Sequence, residues 1–219
     1  RSIGFLESMT KQLFAVKEQE LHAVELMERT TGTEQTLKEQ LRRNEAMTKI
    51  VHMLESNEAF ESIAEQLIRT VCETLDIQGA SVFHTWSDGN TIQLVAEHST
   101  EENWNFGKRL NGKTKVKLPF YSGNTYILSS NSMLPAEMEK FFRRYHLKAG
   151  WFQPMDIKEK GTMYLCFYQF TQRCVWTMED IRFINDAKKI LQIILEEADC
   201  GAQNFAKGEK LRSEFVIAV

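Results

Sequence analysis

The chain's thiols are its only candidate thiolate nucleophiles, and their spacing gives them little to work with. Cys72, Cys166, Cys174 and Cys200 lie far apart, without the Cys-x-x-Cys pairs that zinc and dithiol chemistry use. They read as reduced, mostly buried side chains that pack as small hydrophobes in a cytosolic protein. His84, His98 and His146 are the histidines nearest the segments of interest, but no spacing brings them together as metal ligands. Lys108, Arg109, Lys113, Lys115 and Lys117 form a basic strip. It would suit an anionic ligand, or else the solvent side of an edge strand, where lysines block aggregation. The strict alternation of the last three favours the edge strand.

Charge and hydropathy narrow the partners. Lys plus Arg number 27 against 30 Asp plus Glu, for a net charge of −3, so no global field draws in nucleic acid or anionic lipid. No apolar run approaches the ~20 residues needed to cross a bilayer, and no membrane contact is expected within this stretch. The start, Arg1-Ser2-Ile3-Gly4, is neither a signal peptide nor an initiator methionine and reads as a cut from a longer polypeptide.

The elements that must position these groups follow from periodicity. From Leu6 to Leu54 there is no proline, and Leu6, Met9, Leu13, Val16, Ala23, Met27, Leu37, Leu41 and Val51 keep coiled-coil intervals. Thr30-Thr31-Gly32-Thr33 interrupts that run, with Thr31 and Glu34 spaced as a capping box. A kink or break there and a continuous helix are both compatible, since one glycine costs only about 1 kcal/mol relative to alanine. Ser56-Asn57-Glu58 then signals a helix start, and Phe60, Ile63, Ala64, Leu67, Ile68, Val71 and Leu75 share one face.

Two hairpins follow. Gly79 to Trp86 and Thr91 to His98 flank the turn Ser87-Asp88-Gly89-Asn90; Ala149 to Ile157 and Thr162 to Phe170 flank Lys158-Glu159-Lys160-Gly161. The strand 162–170 has hardly a charge and is expected to be central, buried on both faces. Between the hairpins lie an irregular segment with Trp104 and Phe106, short strands ending near Pro119 and Leu128, and a helix opened by Pro135 with Met138, Phe141, Phe142 and Tyr145 on one side. Thr177 with Asp180 caps a last helix whose Ile181, Ile184, Ala187, Leu191, Ile194, Leu195 and Ala198 form a stripe.

This order resembles the GAF domain, a sensory module related to PAS. The matching residues are Ala80-Ser81-Val82-Phe83, Gln153-Pro154-Met155, Gly161-Thr162-Met163-Tyr164-Leu165 and Trp176-Thr177-Met178-Glu179-Asp180. The resemblance implies an α+β fold, with an antiparallel sheet of about six strands, the first and last helices on one face and a ligand cavity on the other. The expected organisation is a long coiled-coil-like signalling helix over 1–55, the GAF-like domain over 56–200 and a linker over 201–219 toward a further domain.

The resemblance places a candidate pocket at His98, Trp104, Phe106, Tyr126, Phe142, Tyr145 and Trp151, with His84 and Phe141 nearby. Apolar walls with a few polar groups suit a small molecule; rings that merely fill the cavity suit a structural dimerisation spacer. A third reading, a GAF-type methionine sulfoxide reductase, would rest on Cys174 without a partner thiol. The cyclic-nucleotide signature of the family is missing, and no cysteine is followed closely by histidine as in its bilin-binding members. The cofactor is therefore open, with no metal or covalent chromophore expected. The domain itself is expected to be non-catalytic and cytoplasmic, and to form a homodimer through the N-terminal helix and the first and last domain helices.

Overall fold

The computed structural model describes residues 17, 31–86, 91–101, 114–115, 123–129, 132–157, 161–171 and 175–216, with the backbone alone at 114–115, 156–157 and 199–216. The chain divides into two compact units, Arg1–Glu45 and Ala46–Val219. In the first, residues 31–45 are helical. Thr31, Gly32 and Thr33 are themselves helical, and the Thr36 hydroxyl donates to the Gly32 carbonyl at 2.9 Å. Gly32 therefore lies inside a helical stretch, and residues 18–30, ahead of Thr31, lie outside the described residues.

The second unit opens with α1 (46–52), whose Ala46 and Ile50 are buried in the domain core, followed by a 3-10 turn at Met53–Glu55. Helix α2 is Phe60–Leu75. Its N-cap is Ala59, so the Ser56-Asn57-Glu58 signal lies ahead of the helix. Ser56 accepts from the Glu58 amide at 3.2 Å, and the Glu58 carboxylate accepts from Ser62 and Gln66. Asp76, in the left-handed conformation, ends the helix where glycine or asparagine is usual.

The described strands are β1 (Gly79–Thr85), β2 (Thr91–Ser99), β3 (Thr114–Lys115), β4 (Tyr126–Leu128), β5 (Ala149–Ile157) and β6 (Gly161–Gln169). They form one antiparallel sheet in the order β3-β2-β1-β6-β5-β4. As expected from its lack of charge, β6 is central and is buried from Met163 to Gln169. The lysine-bearing β3 is an edge strand, with Lys115 opposite Thr91. Lys108, Arg109, Lys113 and Lys117 lie outside the described residues.

Helix α3 is Ala136–Arg144 and α4 is Met178–Val216. The cap of α4 is the expected reciprocal box: the Thr177 amide donates to Asp180 Oδ2 at 3.0 Å and the Asp180 amide to Thr177 Oγ1 at 3.2 Å. The helix continues through 201–216, past the point where the apolar stripe fades.

Helices α2 and α4 cover the same face of the sheet. Leu67, Ile68 and Val71 of α2 and Ile184, Ala187 and Leu191 of α4 are fully buried with Ala80, Val82, Leu165 and Phe167 of the central strands. Each buried Leu, Ile, Val or Phe side chain of this layer contributes roughly 1.5–3 kcal/mol. The opposite face holds a second cluster, which α3 joins through Met138 and Phe142.

Candidate functional site

Strand alternation sorts the side chains between the two faces. On β6, Met163, Leu165 and Phe167 turn toward α2 and α4, whereas Tyr164, Cys166 and Tyr168 turn the other way. On β5 the partition is Trp151 and Met155 against Phe152, and on β1 it is Ala80 and Val82 against Phe83. The face away from α2 and α4 is thus floored by aromatic rings. Phe83 stacks on Tyr164 with centroids 5.5 Å apart, and Phe152 meets Tyr168 edge-on at 5.8 Å. Helix α3 lays Phe141 and Phe142 over Phe152 at 6.1 and 6.4 Å.

Polar groups are set into this floor. Ser81 Oγ and Tyr168 Oη share a buried hydrogen bond of 2.8 Å, and Tyr168 also bonds the Cys166 thiol. Burial pushes the Tyr168 phenol well above its ordinary range, helped by Cys166, and pushes the Cys166 thiol up as well. Both therefore stay protonated at neutral pH, and Cys166 is no thiolate nucleophile. Cys72, on α2, is likewise pushed up by burial. Glu97, paired in register with Ser81, adds negative charge near the phenol. Tyr164 Oη accepts from the Gly123 amide at 2.8 Å, fastening the segment before β4 to the same face.

Of the candidate pocket residues, Tyr126, Phe142 and Tyr145 lie in this aromatic cluster. Trp104 and Phe106 lie outside the described residues, as does Cys174. His98 and Trp151 are placed on the other face. Trp151 is fully buried among the helix-facing residues, edge-on to Trp176 at 5.6 Å.

His98 lies over α2, where burial first and then Arg69 lower its imidazole, with Glu73 and Glu65 opposing. A β-bulge explains the displacement. The β1–β2 register slips between Val82, opposite Ala96, and Phe83, opposite Leu94, which leaves Val95 as the extra residue. Ile92 and Leu94 therefore face the aromatic cluster, but Ala96 faces α2, and His98 goes with it.

Sequence reasoning missed Ser81, Phe83, Phe152, Tyr164 and Tyr168. The signal was present in the period-two run Tyr164, Cys166, Tyr168 on a strand already recognised as central.

Two grooves flank the domain. One, of about 590 Å³, lies at the C-terminal end of α3 among Phe142, Arg143, His146, Lys148 and Phe170. The other, of about 610 Å³, lies between α1 and α2 among Lys49, His52, Ser62, Gln66 and Arg69. Among the described residues, no three His, Cys, Asp or Glu side chains are grouped to hold a metal, and no helix is long and apolar enough to cross a membrane.

No family model matches the chain. A 36-residue stretch, 16% of the chain, is 56% identical to part of an aspartate–tRNA(Asp/Asn) ligase from Lachnoclostridium phytofermentans, of which it spans 6%. Solved structures match far more of the chain. The phycocyanobilin-bound GAF domain of a cyanobacterial phytochrome has a TM-score of 0.60 at 12% identity, over 73% of this chain and 96% of that one. The phycoerythrobilin-bound GAF domain of a cyanobacterial phytochrome has a TM-score of 0.61 at 11% identity, over 74% and 99%. The GAF domain of a candidate sensor histidine kinase from Pseudomonas syringae pv. tomato has a TM-score of 0.55 at 15% identity, over 80% and 99%.

These matches correct one expectation. No covalent chromophore was expected, because no histidine closely follows a cysteine, yet two of the matched domains carry this fold with a bilin bound. The spacing argument addressed one mode of attachment and said nothing about the cavity. At these identities the likeness is one of fold, and on that ground the chain carries a domain with the GAF fold.

Proposed function

We propose that the domain is a non-catalytic sensory module of a cytoplasmic signalling protein, binding a small molecule against the sheet face opposite α2 and α4. The observation that carries this reading is the division of the sheet. One face is committed to the helices, while the other gathers Phe83, Phe152, Tyr164 and Tyr168 around the Ser81–Tyr168 hydrogen bond. Aromatic walls with a few fixed polar groups suit a flat, largely apolar ligand. Binding would bias the arrangement of α2 and α4 and pass along a homodimer formed by the leading helix and those two helices. That mechanism requires the ligand to prefer one helix arrangement over another. The exposed Leu37 and Leu41 of the leading helix supply an apolar seam for such a dimer.

One specific observation favours a second reading, a structural spacer: Phe83, Phe152, Tyr164 and Tyr168 are at most 2% exposed, so the sheet's own rings already occupy much of that face. Thermal unfolding of the chain against a panel of nucleotides, small metabolites, phycocyanobilin and biliverdin separates the two. A ligand of the native state must raise the midpoint; a spacer responds to nothing in the panel.

A further inference from the structure

Among the described residues, the helix-facing side of β5 carries two buried polar atoms without a hydrogen-bond partner. Trp151 is fully buried, and its indole Nε1–H has no acceptor; Gln153, two residues along on the same face and 6% exposed, has no donor to its Oε1. The rest of the Gln153 amide is engaged, since its Nε2 donates to Asn185 Oδ1 of α4 at 2.6 Å. Trp176, the edge-on neighbour of Trp151, uses its own indole N–H on the Leu128 carbonyl at 3.4 Å.

Turning the Gln153 amide by half a revolution does not resolve this. Its oxygen would then accept from the Asn185 amide, and its nitrogen would be the atom left over. In either orientation one polar atom of Gln153 and the Trp151 N–H remain, both removed from solvent, and buried polar groups left that way are rare. Water is the smallest group that satisfies both cases. It accepts from the indole and donates to Oε1, or it accepts from two N–H groups at once.

We propose that β5 and α4 enclose a binding site for a single water molecule, held by Trp151 Nε1–H and the Gln153 amide beside Asn185. The consequence for regulation rests on the sensory reading. Strand β5 presents Phe152 to the aromatic face and Trp151 and Gln153 to the helices. The hydrated amide pair is thus a polar joint within an apolar layer, through which a shift of β5 reaches α4.

The test is water-to-indole magnetisation transfer in the ¹⁵N-labelled full chain, whose four tryptophans give four indole signals. Trp151→Phe identifies the Trp151 signal by its loss. That signal is expected to show a cross-peak to a long-lived water, and Gln153→Met is expected to abolish it. Should Trp151→Phe fail to fold, Gln153→Met identifies the signal as the one whose water contact disappears. An indole proton without water contact and shifted upfield lies over the Trp176 ring instead, and overturns the site. A water cross-peak that survives in Gln153→Met overturns it too. Neither measurement involves a ligand, so the outcome is independent of whether the domain is a sensor.

Discussion

Ser81 Oγ on β1 and Tyr168 Oη on β6 lie 2.8 Å apart and are sealed from solvent, at 0% and 2% exposure. The bond joins the two central strands on the face opposite α2 and α4. Because burial keeps the phenol neutral, either hydroxyl is able to donate.

Removing Tyr168 Oη takes the Ser81 hydroxyl's buried partner away, and removing Ser81 Oγ leaves the phenol with its contact to the Cys166 thiol. Tyr168→Phe and Ser81→Ala are each expected to destabilise the domain by about 1–3 kcal/mol, read from urea unfolding. The double variant is expected to lose less than the sum of the two, because no unpaired hydroxyl remains.

His98 sets a pH dependence of defined sign. Its folded-state pKa is lowered from the ordinary 6.5, first by burial and then by Arg69. The folded state therefore binds fewer protons than the unfolded state, and the contribution is fully present above about pH 6.5 and is lost as pH falls toward the depressed folded value. His98→Gln is expected to flatten the stability profile in that window.

Two glycines are expected to respond to alanine with opposite signs. Gly161 has φ +118° at the start of β6, and a Cβ there would run into the Thr85 carbonyl oxygen, so Gly161→Ala is expected to cost roughly 1–3 kcal/mol in urea unfolding. Gly32 is helical with open space around it. Gly32→Ala is expected to favour the helix by about 1 kcal/mol, seen as increased helicity by circular dichroism.

The helices separate core from contact surface. Ile184 of α4 is fully buried and Ile193 is 42% exposed. Ile184→Ala is expected to lose about 2–5 kcal/mol, while Ile193→Ala is expected to change stability by less than about 0.5 kcal/mol. If the proposed homodimer forms through the leading helix, Leu41→Glu, at a position 57% exposed there, is expected to shift sedimentation from dimer to monomer.

Much of this architecture was legible before any coordinates. The hairpins β1–β2 and β5–β6 were readable because their β-branched and aromatic runs are bounded by turn residues, and β6 declared itself central by lacking charge. Thr177 and Asp180 marked the start of α4 correctly. The candidate site was less legible. A period of two assigns faces only while pairing is unbroken, and the extra residue at Val95 reverses the assignment for Ala96 and His98. Trp151 and Phe152 are neighbours of similar aromatic character, and nothing in their composition says which faces α4. The GAF-like strand signal at Ala80-Ser81-Val82-Phe83 located β1, but Ser81 gave no hint of its bond to Tyr168, 87 residues away.

Hydrogen exchange of the full chain, with and without the panel compound that raises its melting midpoint most, probes the sensory account at both ends. The account predicts that binding slows exchange in β6 around Tyr164–Tyr168 and also alters exchange in the first turns of α4, from Met178 to Leu195. Protection confined to the strands, or a panel in which no compound raises the midpoint, would contradict it.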